Sequence, residues 1–323
     1  MNAANLSQPS PSTLAALEFS LKLAEYFQIQ DDLRTSLLCA EKVNRSTTAL
    51  LSKADWGGQE LLLYQALSRV HIVMLRAYIW VPGWPARLEH EHAHRELEDA
   101  VNTLNASGFA YTREFVYALT IYVPFMKDTR KGLMLMHHAH DVKRQLMLAS
   151  GTSWDQGMCD VHWTFGQVSI ANGLRNGTFG HAESQLAQAY ACFAAREDDN
   201  FFVALARAGV LVRDNRLQDA IALMRDIDPE KIHFMSNTLR EAVERCLCEL
   251  YIVDALEQQE QELLAEAQSH CTKARSFLDA SAQGDPQILA RLASNEVIIR
   301  NVRSSGVFAE VMPALLPCSP VSH

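Results

Sequence analysis

The 323-residue chain is 48% hydrophobic and 21% charged, enough apolar material for a large core in one stacked array or in two domains. Its net charge of -9 and isoelectric point near 5.7 argue against direct nucleic-acid binding, which needs an excess of lysine and arginine or a large basic face. Residues 1–12 are polar, with no basic region leading into an apolar run, so no secretory signal is expected. That start is expected to be disordered and the chain cytoplasmic, with the nucleus left open. Seven cysteines, an odd number without a CxxC pair, read as small core fillers of a reducing compartment.

Ser10-Pro11-Ser12-Thr13 supplies a helix start, after which Leu14, Leu17, Leu21, Ala24 and Phe27 recur at three- and four-residue steps. Asp31 and Asp32 open a second helix that runs to Lys53 and stops at Asp55-Trp56-Gly57-Gly58. The third spans 59–80, where Pro82-Gly83-Trp84-Pro85 makes the sharpest break in the chain. Gln65, Arg69, His71 and Arg76 interrupt its apolar run, so it reads as a core helix and not as a membrane span. A fourth helix, charged on one side, is expected over 86–104, and a short apolar fifth over 110–125. Asp128 or Thr129 caps a sixth that runs to Leu148, and a seventh lies near 154–174.

The next stretch writes one local pattern twice. Residues 170–174 run into Asn176-Gly177-Thr178-Phe179-Gly180-His181-Ala182, followed by Leu186, Ala189 and Phe193. Residues 208–212 run into Asp214-Asn215-Arg216-Leu217-Gln218-Asp219-Ala220, followed by Met224 and Ile227. Gly177, Phe179 and Ala182 each precede Asn215, Leu217 and Ala220 by 38 residues, the mark of a helical-hairpin repeat. Over 162–227 the chain resembles the tetratricopeptide repeat family. The second copy carries the resemblance best: Ala208 in the first helix, Leu211 a turn later, Ala220 at the crossing point and Pro229 just past the second helix. The resemblance implies a right-handed superhelix of helix-turn-helix pairs that offers a concave face to a protein partner.

Three more helices are expected, over 236–256, 258–280 and 287–303, which makes about thirteen helices and no strand. The fold class is therefore all-α, with 13–303 as a single tetratricopeptide-like solenoid. In the tail, 304–323, Val307, Phe308, Val311 and Met312 form pairs four residues apart. Such a face either caps the array or docks into a partner or a second copy, so a homodimer through that end is one expected outcome.

Two histidine clusters carry the strongest chemical signal. His90, Glu91 and His94 fall on one side of the fourth helix, and His140 is followed by Asp141 on the sixth. Neutral imidazoles and a carboxylate from two helices suit zinc or iron, so a metal-dependent enzyme built on His90, His94, His140 and Asp141 is one reading. Against it stand the acidic neighbours Glu89, Glu96, Glu98 and Asp99, and the absence of a phosphate-binding glycine loop or a GxSxG elbow. The reading adopted is non-enzymatic, with no metal and no cofactor: a scaffold, adaptor or regulator that binds a segment of another protein. Lys127, Arg130 and Lys131, with Arg207 and Arg213, are the expected partner-binding residues, able to hold carboxylates through charge-assisted bonds. A regulator that senses a peptide or small ligand and acts on a transcription or signalling partner is the alternative within the binding class.

Overall fold

The structure is a computed structural model that describes residues 10–30, 32–53, 58–78, 89–152, 156–194, 201–227, 237–280 and 286–305. Among the described residues there are thirteen α-helices, one 3-10 turn and no strand. None of the described helices is long and apolar enough to cross a membrane. The chain divides into two compact units, residues 1–168 and 169–323, with the boundary inside α7 (Gln156–Asn176).

The first unit holds α1 (Pro11–Ile29), α2 (Leu33–Leu51), α3 (Gln59–Tyr78), α4 (His90–Ala106), α5 (Arg113–Tyr122), α6 (Thr129–Ser150) and the start of α7. Its helices begin where side chains can satisfy orphan backbone donors. Ser10 Oγ accepts from the Thr13 N–H at 3.2 Å, Asp32 Oδ1 from Thr35 N–H at 3.1 Å, and Thr112 Oγ1 from Phe115 N–H at 3.3 Å. α1 thus starts inside the stretch expected to be irregular, while residues 1–9 lie outside the described residues. α5 is shorter than its apolar run because Thr112 caps it and because Pro124, which cannot donate, sits in a 3-10 turn over Val123–Phe125.

On α4 the buried residues Ala93, Leu97, Ala100, Val101 and Leu104 follow the helical period. They pack with Val70 and Val73 of α3, Phe115 and Leu119 of α5, and Met136 and Val142 of α6. Each large apolar side chain buried this way contributes roughly 1.5–3 kcal/mol.

The second unit holds the end of α7 and α8 (Gly180–Ala194), α9 (Phe201–Arg213), α10 (Leu217–Arg225), α11 (Asn237–Gln258), α12 (Gln261–Ala280) and α13 (Pro286–Ser305). The turn written twice in the sequence is also made twice. Gly177 has φ +71° and Asn215 has φ +57°, the left-handed conformation that glycine and asparagine tolerate best. Behind each turn an aromatic or aliphatic residue is buried, Phe179 or Leu217, then a small one, Ala182 or Ala220, then Leu186 or Met224. Gly173 lets the first turn close, since a Cβ there would lie 2.7 Å from the Thr178 carbonyl oxygen and from the Phe179 ring.

α11 and α12 pack side by side. Arg240 lies over Phe277, Glu244 accepts from His270, and Tyr251 stacks on the same imidazole, so α12 descends as α11 rises. The break between them falls at Gln259, φ +56°. Cys39, Cys248 and Cys271 are free thiols, whereas Cys159, Cys192 and Cys246 are disulfide-bonded, which corrects the expectation of plain core thiols for those three. Trp56, Trp80, Trp84 and the tail residues Val307, Phe308, Val311 and Met312 lie outside the described residues.

Candidate functional site

Within the first unit, α4, the 3-10 turn and the start of α6 enclose a groove of about 620 Å³. The i, i+4 spacing sets His90, His94 and Glu98 along one face of α4, and all three line it. The proline turn brings Tyr122, Phe125 and Met126 to the same place, and Lys127, Asp128 and Lys131 follow as the chain enters α6. Asp128 fixes that entry by accepting from the Arg130 and Lys131 N–H groups at 3.0 and 3.1 Å.

The floor is locked. His90 Nε2 lies 3.1 Å from the Phe125 carbonyl oxygen, and because a carbonyl can only accept, that nitrogen carries the hydrogen. The two rings sit 5.2 Å apart. His94 Nε2 lies 3.5 Å from the Tyr122 hydroxyl, and loss of water together with the Glu98 charge pushes that phenol up to about 12.

The rim is open. Lys127 Nζ meets Glu91 Oε1 at 3.0 Å and Lys131 Nζ meets Glu98 Oε1 at 3.6 Å. The Lys127 hydrogen bond and charge hold the Glu91 carboxyl below its ordinary range. Both side chains of that pair are more than three-quarters exposed, 79% and 77%. Such pairs contribute about 0–1 kcal/mol each and exchange partners readily. Arg130 is exposed and its guanidinium has no ion-pair partner among the described residues.

The structure thus joins Lys127 and Lys131 to His90 and His94, residues that the sequence placed in separate hypotheses. It does not assemble the metal site. His140 Nδ1 stands 3.8 Å from Asp141 Oδ1 and its ring is 5.4 Å from that of His162. His138 Nε2 donates to the Ala110 carbonyl at 3.3 Å. Among the described residues no group of three or more His, Cys, Asp or Glu side chains converges to hold a metal ion.

Arg207 and Arg213 belong to the second unit, and both are engaged there. Arg207 donates to Glu183 Oε1 through Nε at 3.2 Å and Nη2 at 2.9 Å. Arg213 lies 5.6 Å over the Phe179 ring, and burial lowers its pKa. A partner carboxylate would have to displace Glu183 to reach Arg207.

Sequence reasoning missed a buried polar pair in the first unit. Ser36 Oγ lies 2.7 Å from the Ala24 carbonyl oxygen and 2.9 Å from His71 Nε2. The hydroxyl hydrogen goes to the carbonyl, so the imidazole donates from Nε2 and keeps Nδ1 as an acceptor. Burial depresses His71 to about 4, which keeps the ring neutral. The proton order runs from histidine to serine, opposite to that of an activated nucleophile. A lone histidine in an apolar helix gives no sequence signal for this.

No protein-family model matches the chain, and no curated protein matches it.

Proposed function

We propose that the chain is a non-enzymatic interaction protein of the tetratricopeptide-like helical-repeat kind, which holds a segment of another protein in the groove between α4 and the start of α6. The observation that carries this reading is the pairing in one groove of a fixed floor with an exchangeable rim. His90, His94 and Met126, backed by Tyr122 and Phe125, offer an amphipathic surface for an apolar anchor. Lys127 pairs with the exposed Glu91 and Lys131 with the half-buried Glu98, and a partner's Asp or Glu can compete for both lysines. The repeated left-handed turn at Gly177 and Asn215 supports the repeat kind.

The test is charge reversal of the rim. The tagged chain and its Lys127→Glu/Arg130→Glu/Lys131→Glu variant are purified from the source cells and the bound proteins compared. A partner held by the parent and lost from the variant, at unchanged helical circular dichroism, is the expected result. The same partner retained by the variant would overturn the assignment of the groove.

A further inference from the structure

A second cavity, of about 410 Å³, lies in the first unit between α1, α3 and α5. Its apolar wall is made by Leu21, Leu63 and Leu67, and Tyr64 and Tyr117 add aromatic surface. Three carboxylates line it, Glu18, Glu25 and Glu114, against two basic side chains, Lys22 and Arg113. Lys22 is turned onto Glu18, with Nζ 2.6 Å from Oε1. Neither Glu25 nor Glu114 has an ion-pair partner among the described residues. Glu25 is exposed as a residue, yet the cavity wall withholds water from its carboxyl and raises its pKa, with Lys22 opposing and Glu114 pushing the same way.

An acidic wall alone would not make a site. The independent observation is His71, which lines this cavity although the residue is only 3% exposed. Its Nε2 hydrogen is committed to Ser36, so Nδ1 presents a lone pair with no protein partner among the described residues. The Tyr117 hydroxyl is likewise committed, to Met74 Sδ at 3.4 Å. At Glu25, Glu114 and His71 Nδ1, therefore, the wall accepts hydrogen bonds and does not donate them.

We propose that this cavity binds an organic ammonium ligand, a primary amine carried on an apolar body. An ammonium head supplies three N–H donors, matching acceptors at Glu25, Glu114 and His71, and the tyrosine faces favour a cation. The body packs on Leu21, Leu63 and Leu67, where burial of its methylenes away from water favours binding. With three carboxylates against Lys22 and Arg113, the lining carries one net negative charge, which disfavours a carboxylate ligand and gives a neutral one no charge-assisted bond. This site is independent of the α4–α6 groove.

The experiment is calorimetric titration of the full chain with hexylamine, hexan-1-ol and hexanoate, three probes of one length that differ in head-group charge. The expected result is saturable binding of hexylamine at least about tenfold tighter than either of the others, equal to 1.4 kcal/mol. Glu25→Gln/Glu114→Gln is expected to erase that preference while helical circular dichroism and the melting temperature hold. No saturable hexylamine binding, equal binding of the amine and the alcohol, or a preference that survives the double variant would overturn the proposal. The three-probe comparison on the parent chain keeps the test decisive even where the variant folds poorly.

Discussion

The α4–α6 groove and the α11–α13 contact both set basic side chains against glutamates, in opposite surroundings. On α11, Glu241, Arg245 and Glu249 stand one turn apart and are 1%, 4% and 0% exposed. Arg291 of α13 grips Glu249 with two bonds, Nε to Oε1 at 2.6 Å and Nη2 to Oε2 at 2.7 Å. Arg245 Nε holds Glu241 at 2.7 Å and Asn295 closes the cluster on Glu249 at 3.5 Å. The Glu241 Oε2 and Asn295 Oδ1 atoms are buried without a hydrogen-bond partner, and loss of water raises the Glu241 pKa. A charge that has been desolvated is tied to its partner, because leaving it unpaired is costly. One in water is free to trade partners. The buried cluster therefore fixes how α13 seats on α11, and the exposed pairs leave the groove ready for a ligand.

The largest expected effect tests the buried side of this contrast. Glu249→Ala strips both of these bonds from Arg291 and takes one carboxylate away from the buried Arg245, at a cost of roughly 3–5 kcal/mol. Urea unfolding followed by circular dichroism should show the midpoint fall accordingly. Replacing Glu249 and Arg291 together by Met and Leu should recover most of the loss, because a well-packed apolar pair carries no desolvation cost. A single-variant loss below about 1 kcal/mol would mean that the cluster is solvated in solution and that the contrast with the groove fails.

The first unit treats its own deep polar group differently and keeps it neutral. His71 titrates near 4 when folded against an ordinary 6.5, so between those values the unfolded chain binds the proton and the folded chain does not. Its contribution is complete above pH 6.5, is lost as the pH falls toward 4, and amounts to roughly 3 kcal/mol. Glu241 acts in the other direction, since its raised carboxyl favours the folded state on acidification. The difference between the parent and His71→Gln therefore isolates the histidine. Urea midpoints at several pH values from 7 to 4 should fall steeply in the parent and less steeply in the variant. Parallel slopes would show that the ring is protonated in place.

Much of this architecture was legible in the sequence, because helix starts, stops and hairpin turns are local. Asp32 and Asp128 cap helices with their own side chains, and the 38-residue spacing of Gly177 and Asn215 marks two turns with the same backbone sign. The groove was legible in pieces. His90 with His94, and Lys127 with Lys131, are each one turn apart, but nothing in the spacing says that the proline turn at Pro124 folds one pair onto the other. The two histidine clusters meet the same limit: on different helices they carry no signal of their separation, and among the described residues no three metal-ligating side chains converge. The buried cluster was hidden altogether: a Glu-Arg-Glu stripe at four-residue steps is written the same way whether water or α13 covers it.

The smallest expected change in stability makes the sharpest test of the groove. Glu91→Gln removes one carboxylate from Lys127, in a pair that is mostly in water, so the unfolding free energy should move by no more than about 0.5 kcal/mol. If the rim lysines serve a partner, the same change should leave capture equal or stronger, because Glu91 competes with the partner's carboxylate for one ammonium. Added salt should weaken capture in the parent and the variant alike, as screening acts on exposed charges. A variant that stays folded and loses its partner would identify Glu91 as a direct contact, with the partner presenting a basic side chain to α4. That would reverse the assigned polarity of the groove and leave its location intact.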